Sequence, residues 1–164
     1  MQSAPGKGSS FEIFLPQVQE QLDPVSSQSL PLPTSPGALT ILIVEDDDAV
    51  RELASRLLEA AGFRVLAARD GVEALQSATE FGSSLRVLLT DIVLPRMRGS
   101  ELASRLTLLR PDLKVILMSG YTEHIAQNQN LPSDALFLEK PFTREQLLRT
   151  INQALRSDQL VRLA

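Results

Sequence analysis

Five short apolar runs separated by segments of helical period constrain this chain more than any other feature of it. Thr40–Val44, Phe63–Ala67, Arg86–Thr90, Lys114–Met118 and Ala135–Leu138 are each four or five residues long and mostly bounded by polar residues or glycine, the pattern of buried strands. Between and after them, Val50/Leu53/Leu57/Ala61, Val72/Leu75/Ala78, Leu102/Leu106/Leu109 and Leu147/Leu148/Ile151/Leu155 recur at the spacing of one helix face. Strict β-α alternation of this kind predicts a doubly wound α/β domain, a five-stranded parallel sheet with helices on both faces. Asp70-x-x-Glu73 and Thr143-x-x-Gln146 read as capping boxes, and Gly62 and Gly82 as helix stops. A further helix over Thr122–Asn130 is the weakest, because Gln127-Asn-Gln-Asn130 offers few apolar anchors before Leu131-Pro132.

The chain before Leu39 has a different character. Its 38 residues hold six of the ten prolines and only four charged residues, Lys7, Glu12, Glu20 and Asp23. Residues 17–38 are Pro/Ser/Gln-rich without periodicity and are expected to form a flexible linker. Phe11–Leu15 alternates well enough to be one strand, ending at Pro16.

Composition excludes several classes of function. The net charge of −4 gives no long-range attraction to nucleic acid or anionic membrane, while leaving room for an acidic pocket that holds a cation. Zero cysteines exclude disulfides and thiolate zinc sites, which suits a reducing cytoplasm. The longest apolar runs are too short to span a bilayer, and the first residues lack the charged and apolar regions of a signal peptide. The expected setting is therefore cytoplasmic, with no membrane contact by this segment.

In open parallel α/β sheets ligands bind beyond the carboxyl ends of the strands, so the residues after each apolar run are the ones that carry chemistry. The first run ends in Glu45-Asp46, the third in Asp91, the fourth in Ser119-Gly120 and the fifth in Lys140-Pro141; the second ends blandly in Ala67-Ala68. Two carboxylates about 4 Å apart repel by roughly 4 kcal/mol at an effective dielectric of 20, so such a rim needs a cation or a proton. A hard divalent ion such as magnesium suits carboxylate ligands and bridges to phosphoryl oxygens. Lys140 then offers a second positive charge, Ser119 a hydroxyl, and Asp91 a nucleophile that becomes an aspartyl phosphate.

Ile41-Leu-Ile-Val-Glu-Asp-Asp47, Leu88-Leu-Thr-Asp-Ile-Val-Leu-Pro95, Leu117-Met-Ser-Gly120 and Phe137-Leu-Glu-Lys-Pro-Phe142 together resemble the receiver domain of two-component response regulators. The resemblance implies a flavodoxin-like (CheY-like) fold with strand order 2-1-3-4-5 over residues 39–157, followed by a tail over 158–164. It makes Asp91 the phosphoacceptor, with Ser119 and Lys140 as its catalytic partners and Glu45, Asp46, Asp91 and the main-chain carbonyl of Val93 as magnesium ligands. Ser119 and Phe137 become the switch pair, and Lys140-Pro141 is expected to be cis. The implied function is acceptance of a phosphoryl group from a phosphohistidine, then a conformational switch or onward relay. The rival from another class is a haloacid-dehalogenase-type phosphatase, since Asp46-x-Asp48-x-Val50 after the first strand fits that group's nucleophile motif. It leaves Asp91-Ile-Val-Leu-Pro95 unexplained.

Gly6-Lys-Gly-Ser-Ser-Phe-Glu-Ile-Phe-Leu-Pro16 resembles the last glycine-rich turn and final strand of a histidine-kinase ATP-binding domain. That resemblance makes residues 1–16 a remnant of such a domain and the parent a hybrid sensor histidine kinase. The implied partners are its phosphohistidine domain and a histidine phosphotransfer protein.

Overall fold

The computed structural model describes residues 2–4, 8–10, 39–81, 84–120, 131–132 and 134–161. Met1–Pro31 and Leu32–Ala164 are separate units. In the first, β1 (Gln2–Ala4) pairs antiparallel with β2 (Gly8–Ser10), with Gln2 opposite Ser10 and Ala4 opposite Gly8. This hairpin has no apolar alternation that would announce it. The expected strand at Phe11–Leu15, the helix stop at Gly82 and the weak helix at Thr122–Asn130 lie outside the described residues.

The second unit runs β3 (Thr40–Val44), α1 (Asp48–Glu59), β4 (Arg64–Ala68), α2 (Gly71–Glu80), β5 (Leu85–Asp91), α3 (Gly99–Leu109), β6 (Lys114–Ser119), β7 (Leu136–Glu139) and α4 (Arg144–Val161). The five strands from β3 to β7 form one parallel sheet in the order β4-β3-β5-β6-β7, the doubly wound 2-1-3-4-5 arrangement. Each apolar run seen in the sequence is a strand, with Thr40–Val44 unchanged and no end of the others shifted by more than one residue.

Strand alternation divides the core. Ile41 and Ile43 of β3 face α1 and α4, packing with Ala54, Leu58, Leu147 and Ile151. Leu42 and Val44 face α2 and α3, packing with Ala74, Ala78, Leu102 and Leu106. Because successive side chains of one strand enter opposite layers, every residue of β3 is buried.

The helix starts follow their local chemistry. The Asp47 carboxylate caps α1 by accepting from Ala49 and Val50 N–H at 2.8 and 3.0 Å. Thr143 and Gln146 form a complete capping box at α4, with bonds of 2.7 and 3.2 Å. At α2, Asp70 accepts from Val72 and Glu73 N–H, while the Glu73 carboxylate reaches back to Arg69 N–H. Gly62, at φ 88°, ends the turn after α1.

The stripes expected for α3 and α4 are the buried ones, through Leu102 and Leu106 and through Leu147 and Ile151, whereas those of α1 and α2 are partly rotated. Leu53 is 52% exposed, and Val72 and Leu109 also face outward, while Ala54, Ala74 and Ala103 are buried. In α1 and α2 alanines share the buried face with the larger side chains, so an exposed leucine or valine there does not mark it.

One glycine fixes how β5 hands over to α3. A Cβ on Gly99 would lie 1.9 Å from the Asp91 carbonyl oxygen, a backbone atom with no room to yield. Gly99→Ala is expected to destabilise the domain by about 2 kcal/mol or more, measured as a lower midpoint in urea unfolding. An unchanged midpoint would show that this close approach is not required.

Candidate functional site

The site is a row of residues just beyond the strand ends. Val44 pairs with Thr90, Asp91 with Met118, and Ser119 with Glu139, so Glu45, Asp91, Ser119 and Lys140 arrive side by side. The ladder continues through this row. Glu45 N–H donates to Ala68 O at 3.1 Å, Ile92 N–H to Met118 O at 3.1 Å, and Lys140 N–H to Ser119 O at 2.8 Å. The peptide bond between Lys140 and Pro141 is cis.

Lys140 is the hub. Its Nζ lies 2.5 Å from Glu45 Oε2 and 2.5 Å from Asp91 Oδ2. The other Asp91 oxygen accepts from Val93 N–H at 3.0 Å. Glu45, Asp46 and Asp91 each present a carboxylate oxygen within 4.8 Å of the others. Three carboxylates and one ammonium leave two formal negative charges, the complement of a divalent cation. All ligand atoms are hard oxygens, so the donor set fits a hard divalent ion and does not fit a soft one.

Burial and pairing pull the ionisation states in opposite directions. Burial drives the Glu45 carboxyl above its ordinary 4.5, and the hydrogen bond from Lys140 works against that rise. For Lys140 burial lowers the ammonium, yet the hydrogen bonds to Asp91 and Glu45 outweigh it and hold the group above 10.5. The ammonium therefore stays charged at neutral pH, which is what the short contacts to two carboxylates require.

The other expected residues are near this row. Asp46 is exposed beside buried Glu45, and Ser119 is buried at the end of β6. Val93 is 61% exposed in the segment after Asp91, and Phe137, 37% exposed, lies on β7 three residues before Lys140. Asp48 is paired with Arg51 and is not a member of the Glu45, Asp46 and Asp91 cluster. The clustering of Asp91 with Glu45, Asp46 and Lys140 is what the receiver reading expects and the phosphatase reading leaves unexplained.

Sequence reasoning missed Arg51. Its Nη1 donates to Glu45 O at 2.7 Å and Asp46 O at 3.4 Å, so α1 holds the backbone of the acidic pair from behind. An arginine one turn into the helix after two acidic residues was the available signal. Thr90 was missed too; its hydroxyl donates to the Asp91 carbonyl at 3.0 Å.

Residues 41–152 match the family described as the response regulator receiver domain. The chain is 40% identical to the response regulator receiver protein CpdR of Brucella abortus over 117 residues, 70% of this chain and 95% of that protein. It is also 40% identical over 159 residues to the sensor kinase CckA of the same organism, covering 92% of this chain and spanning 17% of that relative's length. Among solved structures, the receiver domain of the hybrid histidine kinase CckA superposes with a TM-score of 0.62 at 35% identity, covering 71% of this chain and 98% of that one.

Removing the hub ammonium tests the charge balance. Lys140→Ala leaves Glu45 and Asp91 facing each other and is expected to destabilise the cation-free protein by about 2 to 4 kcal/mol. Millimolar divalent cation should recover part of the loss, read as the melting temperature with and without the ion. The pH dependence has a defined sign. Because Glu45 titrates above 4.5, protons compete with a cation in the mildly acidic range, and cation affinity should fall as pH is lowered toward it. The Lys140 contribution to stability should persist through neutrality and disappear only as pH rises past 10.5, because the folded chain holds that proton more tightly. Calorimetric cation titrations from mildly acidic to neutral pH, together with alkaline melts, check both.

Proposed function

Because this chain belongs to the response regulator receiver family, we propose that it accepts a phosphoryl group from a phosphohistidine onto Asp91, with magnesium at the acidic cluster. The observation that carries the reading is Lys140 joined to Asp91 and Glu45 at the edge of a three-carboxylate cluster. In this reading an Asp91 carboxylate oxygen attacks phosphorus, the P–N bond breaks, and the imidazole leaves with its electron pair. Lys140 faces the phosphoryl oxygens as a fixed positive charge, and the Ser119 hydroxyl donates to one of them. Glu45 and Asp46, with the Val93 carbonyl, would hold the ion beside Asp91. Magnesium, when bound, draws negative charge from the phosphoryl oxygens during transfer. Phe137, on the outer face of β7, fills the space that Ser119 vacates as it moves toward the phosphoryl group.

For the parent we propose a hybrid sensor histidine kinase. Its phosphohistidine domain would be the donor, and a histidine phosphotransfer protein the onward acceptor. Support comes from the 159-residue similarity to the sensor kinase CckA, which extends beyond the receiver match at 41–152. In that arrangement residues 1–16 are the remnant of the kinase ATP-binding domain, 17–38 the linker, 39–157 the receiver and 158–164 the tail, working in the cytoplasm. No helix among the described residues is long and apolar enough to cross a membrane.

Incubation with acetyl phosphate and magnesium should add one phosphoryl group to the intact protein by mass spectrometry. Asp91→Asn keeps the shape, removes the nucleophile and should abolish the gain. Phosphorylation of that variant at the wild-type rate would overturn the assignment.

A further inference from the structure

The segment that follows Asp91 is held by a contact outside the acidic cluster. Arg96 has a φ of 68°, a left-handed conformation uncommon for a side-chain-bearing residue. The Met97 N–H donates to Pro95 O at 2.8 Å, so Arg96 is the central residue of a tight three-residue turn. Such a turn with positive φ costs of order 1 to 3 kcal/mol and persists only when its surroundings fix it. Nothing in the local sequence supplies that, since glycine would adopt the turn more easily.

The fixing contact comes from α2. The Arg96 guanidinium pairs with Asp70 Oδ2, while Asp70 Oδ1 caps α2 through Val72 and Glu73 N–H at 2.8 and 3.1 Å. The Asp70 side chain is 2% exposed and that of Arg96 63%, so the carboxylate is the buried anchor and the arginine reaches down to it. A second contact reinforces the first. Met97 packs so tightly on Gly71 that a Cβ there would lie 2.9 Å from Sδ and 3.0 Å from the Met97 Cβ. Two consecutive loop residues thus dock on two consecutive residues at the start of α2. On its other side the same loop carries Val93 N–H to Asp91 Oδ1, and Ile92 O accepts from Gly99 N–H at 3.0 Å.

We propose that the Arg96–Asp70 pair is a positioning latch that holds the loop after Asp91 in the shape from which its backbone serves the cation and the phosphoacceptor. Neither residue touches the reacting atoms. The inference rests on the phosphoacceptor reading, because it assigns a purpose to loop geometry around Asp91.

A simple charge effect and a latch make opposite forecasts. Deleting a positive charge near an acidic cluster strengthens cation binding, and deleting a negative charge weakens it. A latch requires both deletions to weaken it. The test is calorimetric titration of the full chain with magnesium chloride for wild type, Arg96→Ala, Asp70→Asn, the double variant and Arg96→Lys. Alanine keeps a Cβ, and with it the cost of the positive φ, while losing the guanidinium; asparagine caps as well as aspartate, so each single variant removes the ion pair and leaves the turn's own cost and the cap in place. Affinity is expected to fall about tenfold in each single variant, with no further fall in the double, and to stay within about twofold in Arg96→Lys, in line with the size of other outer contacts to metal ligands. In metal-free protein, amide exchange at Met97 and Gly99 should quicken about tenfold in Arg96→Ala, a readout independent of the ion. Opposite signs for the two single variants, additive losses in the double, or unchanged affinity and exchange would each overturn the latch. Wild type that neither binds magnesium nor gains a phosphoryl group would instead overturn the phosphoacceptor reading.

Discussion

A single ammonium group settles whether this arrangement of strands is tolerable without a bound ion. Parallel strands that all end on one rim bring Glu45, Asp46 and Asp91 close together, and three carboxylates so placed repel one another. Lys140 offsets part of that repulsion by contacting two of them at once. The remainder, two formal negative charges, stays as an attraction for a divalent cation. Folding and ligand binding therefore draw on the same electrostatic imbalance, with Lys140 setting how much of it is left over.

The sheet makes this possible by register rather than by loops. Because β3 and β5 lie side by side at the centre, the residues after them are neighbours with no loop of adjustable length between them. Backbone hydrogen bonds from Glu45, Ile92 and Lys140 extend the ladder one step past each strand, so the reacting side chains stand on paired backbone. Arg51 behind the acidic pair and Gly99 beneath Asp91 complete the support from the neighbouring helices. Positions fixed this way lose little entropy when a ligand arrives.

Most of this was legible in the sequence because strand runs and strand-end residues are local signals. Thr40–Val44 is apolar throughout since both its faces are covered, and the polar residues immediately after such runs can only lie on the rim. The faces of α1 and α2 were less legible than those of α3 and α4. Leu53 outranks Ala54 in hydrophobicity, yet alanine is the residue that fits where α1 lies on the sheet. The Arg96–Asp70 pair was not legible at all: 26 residues separate the partners, and an arginine at positive φ contradicts the turn preferences a reader would apply. The hairpin at Gln2–Ser10 left no trace because its strands are three residues each and lack apolar alternation.

The place of Lys140 on the sheet has a consequence for how the domain fails. Glu45 and Asp91 follow central strands, whereas Lys140 follows β7, a four-residue strand at the sheet's edge with a single paired neighbour. Edge strands open at lower free energy than the centre. Any local opening of β7 would carry the ammonium away from carboxylates that belong to other strands. The charge balance of the rim thus depends on an edge strand, while the carboxylates that need it stand on interior ones.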